Sequence, residues 1–262
     1  MFSAKVLFLA AVAVCYGAPN TKITNLRLGL HGATDAKIED YPFMASLQYC
    51  LNKTCYHVCG GVIIKDRWIL AGVGFTWEAS KAVVGASNLH GHDKVIVDIE
   101  AVFRHPNYSR DFQGPNDVGL FKLSEALTFN DKVQPAKLPS QGQEFNGTFV
   151  VNGYNSITTA DYSILQAVTN LSLISNDDCY DKFKKLLPYE KIVIDDDSNI
   201  CTFSGASNTC SGDFGGPLSQ NGTVVGTVTW TIKPCGASGA PNVYTKVSNF
   251  IDWINQTITE NS

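Results

Sequence analysis

The 262-residue sequence predicts an all-β protein, a sandwich or barrel. Three observations predict it. Short apolar stretches recur along most of the chain with β-branched and aromatic residues at alternating positions; Gly, Asn, Asp or Pro clusters separate them; and a long helical period occurs only near the C-terminal end. In order, the strand-like stretches are Phe43–Tyr49, Val58–Ile64, Ala82–Gly85, Val95–Phe103, Val118–Leu123, Thr148–Val151, Val224–Trp230 and Val243–Val247. Phe250, Ile251, Ile254 and Ile258 then form one core-facing helical stripe, with Ser248 or Asn249 placed to cap it. The proline-bearing stretch from Gln134 to Pro139 is placed to join two β domains, and no internal repeat or low-complexity segment occurs.

Composition narrows the function. Charged residues make up 17% of the chain and apolar ones 44%, so it can fill a core. A formal net charge of −4 excludes a general nucleic-acid or heparin binder, which needs a basic surplus. Eight cysteines suggest an oxidising compartment. The N-terminus agrees: Lys5 precedes an apolar run from Val6 to Val14, and Cys15-Tyr16-Gly17 provides a signal-peptidase site before Ala18. That run is shorter than the ~20 residues needed to span a bilayer. Residues 1–17 therefore read as a signal peptide, residues 18–29 as a polar pro-segment, and the mature chain as secreted, without a membrane anchor. Loss of Cys15 leaves seven cysteines, which implies a free thiol or a bond to another chain. Glycan acceptor sequons begin at Asn52, Asn107, Asn146, Asn170, Asn221 and Asn255.

One stretch is highly specific: Cys210-Ser211-Gly212-Asp213-Phe214-Gly215-Gly216-Pro217. It resembles the C-x-G-D-S-G-G-P signature of trypsin-like serine proteases, with phenylalanine in place of the nucleophilic serine. Leu30-His31-Gly32-Ala33, Cys59-Gly60-Gly61, Trp68-Ile69-Leu70-Ala71, Asn116-Asp117-Val118-Gly119-Leu120 and Pro241-Asn242-Val243-Tyr244-Thr245 follow the family's other marks in order. The resemblance spans Leu30 to Ile258. It implies two six-stranded antiparallel β-barrels with a C-terminal helix, residues 30–138 forming the first barrel and 139–262 the second barrel and helix. The run Val243–Trp253 is similar to mite trypsin-like proteins related to the group 3 allergens, among them the inactivated protease paralogues of scabies mites.

Acyl transfer in this family needs a hydroxyl nucleophile, an imidazole base and a buried carboxylate that orients the imidazole. The corresponding positions are Phe214, Gly74 and Asp117, so only the carboxylate is kept, and Gly212 and Asp213 are the remnant of an oxyanion hole. At the floor of the specificity pocket Asn208 stands where trypsin-like members place an aspartate. Thr231 and Asn242 replace two pocket glycines, which implies a closed slot. Gly29 precedes Leu30 and the nearest basic residue is Arg27, so cleavage there leaves the new amine misplaced. The family's zymogens hold the aspartate before the serine with a histidine and a serine, and this chain has both. The expectation is a permanent lock of Asp213 on His57, supported by Ser46.

By resemblance, Cys179–Cys201 and Cys210–Cys235 are disulfides. Cys59 has lost its family partner, which is Phe75 here. Cys55 and Cys59 are roughly 13 Å apart in an extended strand, too far to bridge. Cys50 and Cys55 flank a short turn, so Cys50–Cys55 with a free Cys59 against Phe75 is expected; a different pairing stays open.

His105 reads as a strand-end surface residue. His90-Gly91-His92-Asp93 sets two imidazoles and a carboxylate close in sequence, as a weak metal site would, with a solvated loop the favoured reading. The Asp195-Asp196-Asp197 run reads as a solvated loop, since a plain run does not wrap an ion. No metal or cofactor is expected. The expected function is therefore binding of extracellular proteins by a monomeric, non-cleaving protease homologue, and the resemblance implies host complement components as partners. Two further readings remain. A decoy would present an open cleft to protease substrates or inhibitors; a protease of altered mechanism would need Ser211 as its nucleophile, with no base placed for it.

Overall fold

The computed structural model describes residues 30, 32–52, 54–74, 78–109, 113–155, 163–206, 208–232 and 235–262. The expected signal peptide and pro-segment (residues 1–29), His31 and Phe75 lie outside the described residues.

The strands are β1 Thr34–Asp35, β2 Met44–Leu51, β3 Thr54–Lys65, β4 Trp68–Ala71, β5 Lys81–Val84, β6 Val95–Arg104 and β7 Gly119–Leu123, then β8 Thr148–Asn155, β9 Ile164–Ile174, β10 Asn199–Phe203, β11 Pro217–Gln220, β12 Thr223–Trp230 and β13 Asn242–Lys246. The first barrel closes in the order β2-β3-β4-β7-β6-β5. The second runs β9-β10-β13-β12-β11-β8 and closes through the β8–β9 pair, with β1 added on β9. Every strand pair is antiparallel, and closure leaves each barrel without an unpaired edge. The architecture is two six-stranded barrels and a terminal helix.

Turn chemistry sets the hairpins. Asn221 and Gly222 both adopt positive φ, 51° and 75°, the geometry a two-residue turn between β11 and β12 requires. The stretch Gln134–Pro139 passes from one barrel to the other, the Ala136 amide bonding the Ile63 carbonyl and the Lys137 amide that of Gly222.

The terminal helix, α2, covers Ile251–Glu260. Its start differs from expectation: Val247–Phe250 forms a 3₁₀ turn containing Ser248 and Asn249, and Phe250 takes the cap position without a capping side-chain bond. The expected stripe holds, since Phe250, Ile251, Ile254 and Ile258 are buried with Trp68, Leu70 and Leu120 of the first barrel. Fully burying a side chain such as Ile254 contributes about 1.5–3 kcal/mol.

A second helix, α1 at Asn176–Leu186, was not expected. It is polar and buries only Cys179 and Phe183, so its stripe is too thin to read as a period. Its local signal is the cap: Ser175 Oγ accepts from the Asp178 amide at 3.1 Å, and Lys184 and Lys185 close the last turn.

Candidate functional site

Asp117 sits just before β7, at the junction of the barrels. Its Oδ1 accepts from the amides of Val73 at 2.6 Å and Gly74 at 2.8 Å, and its Oδ2 from Thr229 Oγ1 at 2.7 Å. Thr229 belongs to β12, at an irregularity where the pairing with β13 steps from Val228–Tyr244 to Trp230–Val243. Each barrel thus supplies donors to one carboxylate. Burial pushes the Asp117 carboxyl above its usual pKa, and the bonds from Thr229, Val73 and Gly74 oppose that shift. Thr245 Oγ1 donates to the Asp117 carbonyl at 2.9 Å.

Gly74 has no side chain to use this carboxylate. A Cβ built there would lie 3.4 Å from the Tyr108 hydroxyl and 3.5 Å from Asp117 Oδ2. Tyr108 therefore stands beside the place where an imidazole would begin, a role the sequence reading missed.

Phe214 follows the 3₁₀ turn Ser211–Asp213 and is 4% exposed, within the main hydrophobic core. Its carbonyl accepts from the Gly60 amide at 2.7 Å. That contact explains the glycines of the motif: a Cβ on Gly60 would meet Gly216 Cα at 2.8 Å, and Gly215 has φ 74°. β3 and the 212–216 loop are therefore packed backbone to backbone.

His57 and Ser46 come together as expected, Nδ1 lying 2.8 Å from Ser46 Oγ. The other ring nitrogen, Nε2, lies 2.9 Å from the carbonyl of Gly212, the residue before Asp213. The Tyr154 ring stands edge-on to the imidazole, and the Tyr154 hydroxyl donates to the Ala86 carbonyl at 2.7 Å. Burial lowers the His57 pKa to about 4, with the Gly212 carbonyl opposing, so the ring is neutral at pH 7. The bond to the Gly212 carbonyl holds the backbone of the 211–213 turn beside β3. Asp213 is fully buried; its Oδ2 accepts from the Cys210 amide at 2.7 Å. A Cβ on Gly153 would meet Asp213 Oδ1 at 1.9 Å, so Gly153, also missed in the sequence, makes room for this carboxylate.

At the specificity-pocket positions, Asn242 is fully buried. Its Oδ1 accepts from the amides of Asn208 at 2.7 Å and Thr209 at 3.0 Å, and its Nδ2 donates to Thr202 Oγ1 at 3.2 Å. Asn208 Oδ1 accepts from Ser204 Oγ at 2.6 Å, and Thr231 Oγ1 donates to the Thr209 carbonyl at 3.4 Å. The three expected residues are therefore brought together, with Thr202, Ser204 and Thr209 as partners the sequence did not single out.

The disulfides are Cys50–Cys55, Cys179–Cys201 and Cys210–Cys235, and Cys59 is buried and unbridged. His105 differs from a plain surface residue: its ring lies between those of Phe250 and Trp253, 5.2 Å from each, and burial lowers its pKa. In the acidic run, Asp195 accepts from the amides of Ser198 and Asn199, and Asp196 from Asn176 Nδ2, which makes it a hydrogen-bonded turn. Among the described residues no three His, Cys, Asp or Glu side chains converge as metal ligands, and no helix is long and apolar enough to cross a membrane.

The Trypsin family profile matches residues 30–254. The chain is 32% identical to a trypsin of Phaedon cochleariae, over 95% of this chain and 96% of that protein. It is 31% identical to trypsin II-P29 of Gallus gallus, over 95% and 94%. Human kallikrein-7 is 32% identical over 76% of this chain and 77% of its own. With both barrels in place and the signature loop around Phe214 at their junction, the chain belongs to the trypsin family.

Proposed function

We propose that this protein is a secreted trypsin-family member that does not cleave peptide bonds and acts by binding other proteins. The observation that carries the reading is Phe214, a buried phenyl ring at the nucleophile position, with Gly74 at the position of the base. A phenyl ring neither attacks a carbonyl nor gives up a proton, and loss of the triad as a unit costs on the order of 10⁶ in turnover, roughly 8 kcal/mol of barrier. The Asn242 and Thr231 side chains, bonded to the 208–209 segment, support a closed specificity pocket. A filled pocket favours a surface elsewhere on the molecule over a decoy that offers its cleft. Three disulfides support an oxidising, extracellular setting.

The partner class implied by the resemblance is host complement or other plasma protein. The test is capture from plasma on the immobilised, glycosylated mature protein, with mass spectrometry of retained proteins and of new chain termini in the flow-through. Specific retention without new termini is expected. New termini recurring at one sequence context would refute the non-cleaving reading.

A further inference from the structure

The hairpin of β2 and β3 runs past the rest of the first barrel. β5 pairs with β2 only as far as Gln48, and β4 pairs with β3 only between Val62 and Lys65. Among the described residues, therefore, the strand segments 49–51 and 54–56 pair only with each other. A two-stranded ribbon of this kind is marginal in water unless something packs on its faces. One face is stapled: Cys50 stands opposite Cys55, and the two form a disulfide.

The other face follows from the register. Tyr49 lies opposite Tyr56 and Leu51 opposite Thr54, and residues two apart on a strand share a side, so these four stand together. None of the four is charged. Tyr49 is half-buried against the main core, whereas Leu51 and Tyr56 are each 54% exposed. Leu51 and Tyr56 are diagonal neighbours, about 7–8 Å apart between Cα atoms. Single exposed apolar side chains are ordinary, but an aliphatic and an aromatic group adjoining on a projecting ribbon leave apolar area to be covered.

The tip of the same hairpin indicates the occupant. Asn52 is exposed, starts the sequon Asn52-Lys53-Thr54, and has φ 48°, the left-handed region a two-residue hairpin turn uses. The glycan acceptor thus follows Leu51 directly and borders the uncharged face, with Tyr56 two residues beyond Thr54, about 7 Å along the strand. A sugar joined there meets that face as a tethered group, at an effective concentration on the order of millimolar. N-acetylglucosamine is neutral, as the face is. Its ring presents C–H bonds whose positive hydrogens suit the negative face of the Tyr56 ring, and its acetyl methyl suits Leu51. A partner protein would have to displace this tethered group to use the same area.

We propose that the N-glycan on Asn52 folds back over the hairpin, its first N-acetylglucosamine units packed on Tyr56 and Leu51. The disulfide then closes one face of the ribbon and carbohydrate the other.

The test uses mature protein secreted from eukaryotic cells as wild type, Asn52→Asp, Tyr56→Ser and the double variant. Aspartate tolerates the left-handed backbone, so Asn52→Asp removes the acceptor and keeps the turn. Tyr56 is exposed, so Tyr56→Ser leaves the fold in place. Mass spectrometry should find Asn52 glycosylated in the wild type. The sugar proton signals that disappear in Asn52→Asp identify this glycan, and in the wild type they should lie upfield of their positions in Tyr56→Ser, as ring current from Tyr56 requires. Amide hydrogen exchange over residues 49–56 should be about 3-fold faster in Asn52→Asp than in the wild type, with no acceleration from the same change in the Tyr56→Ser background. A bare Asn52, sugar signals unmoved by Tyr56→Ser, equal acceleration in both backgrounds, or acceleration in neither would each overturn the proposal. None of these readouts depends on whether the protein cleaves or binds another, so the result stands apart from the function proposed above.

Discussion

The side-chain oxygen of Asn242 accepts a hydrogen bond from the backbone amide of Asn208 at 2.7 Å, across 34 residues of sequence. On the closed-pocket reading proposed above, Asn242 is a strut between two segments of that pocket, and this relationship bears on any attempt to introduce catalysis. Replacing Gly74 by His and Phe214 by Ser returns the missing groups but not the slot. The new imidazole would also begin 3.4 Å from the Tyr108 hydroxyl, so it has to fit beside that group. The double variant should remain without measurable hydrolysis of lysyl or arginyl p-nitroanilides. Adding Asn208→Asp, Thr231→Gly and Asn242→Gly should produce the first detectable turnover; hydrolysis by the double variant alone would mean the pocket is open.

Asp117 should have kept a structural value. Asp117→Ala leaves the amides of Val73 and Gly74 and the Thr229 hydroxyl without their acceptor. Buried unsatisfied donors cost about 1–3 kcal/mol each before relaxation, so a net loss of about 2–4 kcal/mol is expected. Urea unfolding of the variant reads it directly, and a loss below 1 kcal/mol would show that water reaches these donors.

Stability should fall on acidification. His57 titrates at its ordinary 6.5 when unfolded and at about 4 when folded. Between those values the unfolded chain holds more protons, so folding loses up to about 3 kcal/mol as pH drops from 6.5 through 4. Asp117 acts with the opposite sign, because a raised folded pKa adds stability as pH falls. His57→Gln should flatten the urea midpoint over this range while the wild type declines; parallel curves would assign the decline elsewhere.

All six sequon asparagines are exposed: Asn52, Asn107, Asn146, Asn170, Asn221 and Asn255. Three lie close together, since β8 pairs with both β9 and β11 and Gln220 Nε2 donates to the Asn146 carbonyl at 2.7 Å. Enzymatic deglycosylation in ¹⁸O water should convert these asparagines to labelled aspartates in protein secreted from eukaryotic cells. Secretion at the bare peptide mass would refute their use.

Cys59 is buried in the first barrel's core without a bridge. A thiol reagent should find no reactive group in the native mature protein and one per chain in urea. Reaction in the folded state would mean that β3 opens locally.

The terminal stripe was legible in the sequence because a period-3.6 pattern reports one-sided burial, and strands such as β2, β3 and β12 were legible as apolar, β-branched and aromatic runs bounded by turn residues, since they are buried along continuous stretches. β9 was not, since Gln166 and Asn170 interrupt its pattern, and β11, four residues long, is too short to show one. The helix α1 escaped because it buries two side chains and leaves the rest to solvent.

What the sequence determined by itself is chemical identity. A phenyl group at position 214 and a hydrogen at position 74 need no coordinates, and the family resemblance implied the two-barrel fold and the Cys179–Cys201 and Cys210–Cys235 bridges. The tertiary structure alone decided which groups meet: the His57 ring with the Gly212 carbonyl across 155 residues, the Tyr108 hydroxyl with the Gly74 position, and Asn242 with the 208–209 amides. Sequence patterns encode neighbours two to four residues apart, whereas barrel closure and the joining of two barrels set distant segments face to face, and hydrogen bonds a few ångströms long form only where that closure places them.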